Sequence, residues 1–174
     1  MKNPFSSGNT FNQCTDIGSV KIPGTMCYEN KSGVYTLEGS GTNMWFGSDE
    51  FFFVWKKWKG NCILYSQLTF EGVGADPHRK AGLMIRETLA PGSPYVSAVC
   101  HGDGLIAMQY RTERDSATRE FRADKDALPV LQLSVSNSTV NMQASHSGRP
   151  LKSTGSLQVT FTGDKEYYIG LFIC

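Results

Sequence analysis

Apolar and polar residues alternate with a period of two through several short stretches of this chain. In residues 62–70, Cys62, Leu64, Leu68 and Phe70 fall on one face, and Tyr65, Gln67 and Thr69 on the other. In residues 105–111, Ile106, Met108 and Tyr110 point one way while Gln109 and Arg111 point the other. Residues 130–135 and 140–145 flank Ser136-Asn137-Ser138-Thr139, whose composition predicts a hairpin turn. Residues 167–174 are almost continuously apolar, the pattern of a strand covered on both faces. Glycines punctuate these runs, and no long segment repeats apolar residues at helical spacing. Residues 116–128 carry charge without an apolar stripe and read as a loop with at most one turn.

The pattern predicts strands over 33–39, 51–55, 62–70, 80–87, 95–100, 105–111, 130–135, 140–145, 156–162 and 167–174. Ten strands with short turns and no crossover helix predict an all-β fold, a two-sheet antiparallel sandwich. Residues 1–15 then form an N-terminal extension and 16–174 the β-sandwich domain. At 174 residues the chain is long enough for one substantial core.

Charge narrows the partners. The net charge of +1 gives no sustained basic surface, so neither nucleic-acid binding nor membrane insertion is expected. Lys56-Lys57-Trp58-Lys59 and the mixed run from Arg111 to Lys125 read as solvated charge. No apolar stretch reaches the roughly 20 residues that span a bilayer. Residues 1–8 are polar and lack the apolar centre of a leader. The expected location is therefore periplasmic or extracellular if an export signal was removed, with the cytoplasm the other option.

Five cysteines without a Cys-x-x-Cys pair, and three histidines, do not compose a zinc set. Cys62, Cys100 and Cys174 sit in apolar runs as small hydrophobes, and Cys14 with Cys27 is the one local disulfide to consider. Asp16, Asp49 and Asp164 are the carboxylates a structural calcium would use, but their spacing predicts no metal, and no cofactor is expected.

Several short words recur in a telling order. They are Asp16-Ile17-Gly18, Gly33-Val34-Tyr35-Thr36-Leu37-Glu38-Gly39-Ser40-Gly41, Met44-Trp45, Ser48-Asp49-Glu50-Phe51, Lys80-Ala81-Gly82-Leu83-Met84-Ile85-Arg86-Glu87 and Gly170-Leu171-Phe172. This order resembles the concanavalin A-like lectin/glucanase superfamily, jelly-roll domains of the LamG and regulation-of-enolase-like type. The resemblance spans residue 16 to the end, and its most specific piece is the Lys80–Glu87 segment. It implies a jelly roll, and a bacterial accessory domain joined to TolB-like propellers or carbohydrate-active enzymes. Similar domains run on through a further strand, so a missing final strand and a longer polypeptide are expected.

The candidate site follows from strand parity. Gln109 and Arg111 are two residues apart and project from one sheet face about 7 Å from each other. Arg86 ends a neighbouring strand, and His101 precedes the tight turn at Gly102-Asp103-Gly104. Together with Trp45 as a stacking ring, Arg86, His101, Gln109 and Arg111 compose a ligand-binding set suited to a glycan. Planar polar groups meet sugar hydroxyls, and an aromatic ring covers the apolar sugar face. In the competing reading Arg86 pairs with Glu87 or Asp103 and the tryptophans fill core. Asp76-Pro77-His78-Arg79-Lys80 is a polar loop suited to orienting a ligand or an acidic partner, or else a plain surface turn.

Catalysis is not expected, and no catalytic residue is assigned. The Glu-x-Asp-x-x-Glu strand of the superfamily's glucanases is missing, and adjacent Asp49 and Glu50 would point oppositely. The leading expectation is a non-catalytic, lectin-like carbohydrate-binding domain. A glycoside hydrolase with an atypical carboxylate pair and a structural or protein-interaction module remain the alternatives.

Overall fold

A computed structural model of the chain describes residues 10–72, 76–124 and 127–174. Thirteen strands and no helix are found among them. The strands are β1 (Gln13–Ile17), β2 (Thr25–Glu29), β3 (Val34–Glu38), β4 (Phe51–Lys59), β5 (Cys62–Gln67), β6 (Lys80–Arg86) and β7 (Tyr95–His101). β8 (Ile106–Arg111), β9 (Arg119–Arg122), β10 (Val130–Ser136), β11 (Thr139–Ser145), β12 (Lys152–Gln158) and β13 (Glu166–Ile173) follow. Every pairing is antiparallel.

Seven strands form one sheet in the order β1-β4-β13-β6-β7-β8-β9, and four form a second in the order β12-β11-β10-β5. Their facing sides make the main core. Leu83, Ile85, Val96, Ala98, Ile106 and Met108 of the large sheet meet Leu131, Leu133, Val140 and Met142 of the small one. The β2–β3 hairpin adds Met26, Tyr35 and Leu37 to that core. The chain is thus an all-β sandwich, as the alternation predicts.

The outer face of the large sheet is not simply solvated. Phe51, Phe53, Met84, Tyr95, Val99, Ala107 and Phe172 form a second apolar cluster there. The β3–β4 connection, residues 39–50, folds over it and buries Met44 among these side chains. This connection approaches the backbone closely at Gly47, where an added Cβ would lie 2.3 Å from the Asp115 carbonyl oxygen. Only glycine fits that contact.

Three expectations about the elements need correction. Residues 116–128 do not form a plain loop with a turn, because Arg119–Arg122 pairs with β8 as the edge strand β9. Their Lys125 and Asp126 lie outside the described residues. The strand expected at 156–162 runs instead over Lys152–Gln158, an edge whose mostly polar side chains give little alternation to read. Residues 1–15 are not all extension, since Gln13 and Cys14 open β1 and pair with Trp55 and Val54. β2, which was not anticipated, pairs with β3. Cys14 and Cys27 are both free thiols.

Candidate functional site

Residues of even and odd number separate cleanly on the three strands that carry the site. Lys80, Met84 and Arg86 of β6, Tyr95, Ser97, Val99 and His101 of β7, and Ala107, Gln109 and Arg111 of β8 share the outer face. This follows from the register, which sets Lys80 opposite His101, Ser97 opposite Gln109, and Arg86 and Arg111 each opposite Tyr95. The expected polar ladder is therefore on one face, but its members divide into two groups.

Arg86 and Arg111 belong to a buried ion triad. Asp49, delivered by the β3–β4 connection, accepts from Arg86 Nη1 at 2.7 Å and from Arg111 Nη1 and Nη2 at 2.9 and 2.8 Å. All three side chains are fully buried. The remaining guanidinium donors go to loop carbonyls. Arg86 holds Thr88, Ala90 and Pro91, and Arg111 holds Ser116, Ser93 and Phe46. Burial pulls the Arg86 guanidinium below its usual range, and Asp49 opposes that shift. The geometry makes these arginines clamps between three loops, and it does not present them to a ligand. The carboxylate that pairs with Arg86 is Asp49, and not Glu87 or Asp103 as in the competing reading.

Trp45, His101 and Gln109 come together instead in a recess of about 270 Å³. Asn43, His78, Lys80, Leu105, Glu120 and Arg122 complete its walls. Asn43 organises the entry. Its Oδ1 accepts from the Met44 and Trp45 backbone amides at 2.8 and 3.1 Å and from Lys80 Nζ at 3.0 Å. Those bonds, with Thr118 N donating to Trp45 O at 2.9 Å, fix the half-buried Trp45 at the edge of the recess.

A hydrogen-bond relay sets the chemistry of the floor. Gln109 Nε2 donates to Glu120 Oε2 at 3.1 Å, so the amide nitrogen must face that carboxylate. The same nitrogen lies 3.2 Å from His101 Nε2, diagonally past the Val99–Ala107 pair. His101 Nε2 is then an acceptor, and the ring proton resides on Nδ1. Glu120 also accepts from Arg122 Nε at 2.6 Å. The ring of His78 stands edge-on to that of His101, centroids 6.3 Å apart.

Burial, and then the positive charge of Lys80, lower the His101 pKa from 6.5 to about 4. A depressed histidine stabilises the fold fully above its unfolded pKa, and that contribution is lost as pH falls from about 6.5 toward 4. His101→Gln is therefore expected to flatten this part of the stability profile in urea melts between pH 7 and pH 4. A variant with the same acid limb as the parent would show that His101 does not titrate there.

Signals for this site were partly visible in the sequence. His78 and Lys80 come from the polar Asp76–Lys80 loop, read as orienting a ligand or an acidic partner or as a plain surface turn, whereas Asn43, Glu120 and Arg122 carry no local signal. A second recess, of about 410 Å³, is lined by Gly60, Asn61, Asn137, Ser138, Thr162, Gly163 and Asp164 and offers no aromatic ring. Among the described residues no three His, Cys, Asp or Glu side chains are grouped to hold a metal. Asp16 instead caps the Gly24 amide, and Asp49 is spent on the arginines.

No protein-family model and no curated protein matches the chain. Among solved structures it is similar to the crystal structure of a functionally unknown protein from Saccharomyces cerevisiae. The TM-score is 0.58 at 14% identity, over 93% of this chain and 86% of that one. The likeness is one of fold. Its extent matches a sandwich that is shared nearly end to end, and it assigns no activity to either protein.

Proposed function

We propose that this chain is a non-catalytic, lectin-like carbohydrate-binding module of the concanavalin A-like jelly-roll kind, with its sugar site in the recess beside Trp45. One observation carries this reading. A half-buried tryptophan edges a concavity where an amide, an imidazole and a carboxylate form a fixed hydrogen-bond relay, with the Lys80 ammonium held beside them by Asn43. Sugars are held by this combination of an aromatic platform and converging planar polar groups. Glu120 is the single carboxylate among the lining residues, whereas glycoside hydrolysis uses a pair. That favours binding over turnover. The resemblance of the Lys80–Glu87 segment to accessory domains of the superfamily points the same way.

A glycan array probed with the full chain tests the reading. Selective binding is expected, weakened about tenfold or more by Gln109→Ala or Trp45→Ala through loss of a buried hydrogen bond or the stacking surface. Silence across the array, or binding that both variants retain, would overturn it.

An interaction module is the second reading, and one feature favours it. The edge strand β5 presents Ile63 and Tyr65 to solvent, 68% and 61% exposed. Adjacent apolar side chains on an open edge suit a protein contact.

A further inference from the structure

The recess contains a buried cation without a counter-charge. Lys80 is only 4% exposed, yet its ammonium bonds to a neutral group, the Asn43 side-chain carbonyl. Among the described residues no carboxylate lies within ion-pairing distance of it. Glu120, the one acid on the walls, is engaged by Gln109 and Arg122. A buried charge is costly unless it is paired, so an unpaired lysine is stable only against a low-dielectric penalty that a bound anion would remove.

A second, independent group in the same recess lacks a partner. Glu120 fixes the Gln109 amide, and that amide fixes the His101 tautomer, which leaves the proton on Nδ1. His101 is 5% exposed, and its Nδ1 has no hydrogen-bond partner among the described residues. A buried N–H without an acceptor is unusual in a folded protein. Lys80 and His101 are direct register partners on β6 and β7, so their side chains leave the sheet about 5 Å apart.

We propose that Lys80 and His101 form an anion seat, and that the ligand of this recess is an acidic sugar whose carboxylate occupies it. The sugar part rests on the function proposed above; the anion seat rests on these two groups alone. The carboxylate accepts from the Lys80 ammonium and from His101 Nδ1–H. The Gln109 amide nitrogen makes the bonds to His101 and Glu120, so the amide oxygen accepts from a ring hydroxyl, and Trp45 covers the sugar face. A uronic acid has this chemistry, and a neutral hexose lacks the group that neutralises Lys80.

Calorimetric titration of the full chain tests it, comparing oligosaccharides ending in glucuronate or galacturonate with their glucose- and galactose-ended counterparts and with acetate. The uronates are expected to bind about tenfold or more tightly than the neutral sugars, as charge-assisted bonds are stronger than neutral ones. Lys80→Met should remove that preference while leaving the melting temperature of the ligand-free protein equal or higher, because it deletes an unpaired buried charge. Lys80→Arg should keep part of the preference. A lower melting temperature for Lys80→Met would show a structural lysine and overturn the seat. Equal binding of uronates and neutral sugars would also overturn it and leave the sugar reading standing. Acetate binding as tightly as the uronates would uphold the seat and sink the sugar reading. No binding by any of these would sink both.

Discussion

Asp49→Ala is expected to destabilise the fold by about 3–5 kcal/mol, the cost of leaving a buried charge without its partner. Here one carboxylate is the shared counter-ion of two guanidiniums, and all three groups are fully buried. Removing it strands Arg86 and Arg111 while their other donors still tie the Thr88–Ser93 turn, Ser116 and Phe46 to the sheet. The loop that carries Met44 and Trp45 over the outer face would lose its ion-pair tie to β6 and β8, so the binding proposed for the recess should fall with stability. Urea denaturation followed by tryptophan fluorescence measures the change directly. A loss below about 1 kcal/mol, the range of an exposed ion pair, would contradict the clamp. Arg111→Ala should behave as Asp49→Ala does, with a large stability loss.

Met108→Ala is expected to cost about 2–5 kcal/mol, as other large-to-small changes in packed cores do. Met108 is fully buried on the inner face of β8, where its sulfur and the ring of Phe121 close over Gly155 of the facing sheet. No neighbouring strand can collapse into the gap without disturbing the β8–β9 and β11–β12 pairs. A loss below about 1 kcal/mol in the same urea experiment would mean that the assigned faces of β8 are reversed.

Those two residues also show what a sequence can reveal. Met108 was readable because strand periodicity is local: Ile106, Met108 and Tyr110 alternate with Ala107, Gln109 and Arg111 within six residues. The partnership of Asp49 was not readable, because Arg86 and Arg111 are 37 and 62 positions away. Nothing in Ser48-Asp49-Glu50 distinguishes a buried counter-ion from a surface acid. Strand β9 was hidden for a different reason. Its four residues bury a single aromatic, Phe121, only in part, too little to imprint a period on a charged stretch. In the recess, strand parity supplied Gln109 and the turn supplied His101. The isolation of Lys80 is a property of its surroundings, which no local pattern encodes.

The buried triad and the recess divide labour on one face. Asp49, Arg86 and Arg111 fix the loops, and Asn43, Lys80, His101, Gln109 and Glu120 leave polar groups available beside Trp45. This division accounts for Lys80, Arg86, His101, Gln109 and Arg111 on a sheet face that is otherwise largely covered by phenylalanines and Met44.

Amide chemical-shift mapping of the full chain against the tightest array-selected glycan locates the bound sugar directly. Shifts are expected to concentrate at residues 43–45, Lys80, His101, Gln109 and Glu120, with the small sheet unaffected. Shifts gathered instead around Ile63 and Tyr65 on β5, or spread without focus, would contradict a sugar site in the recess.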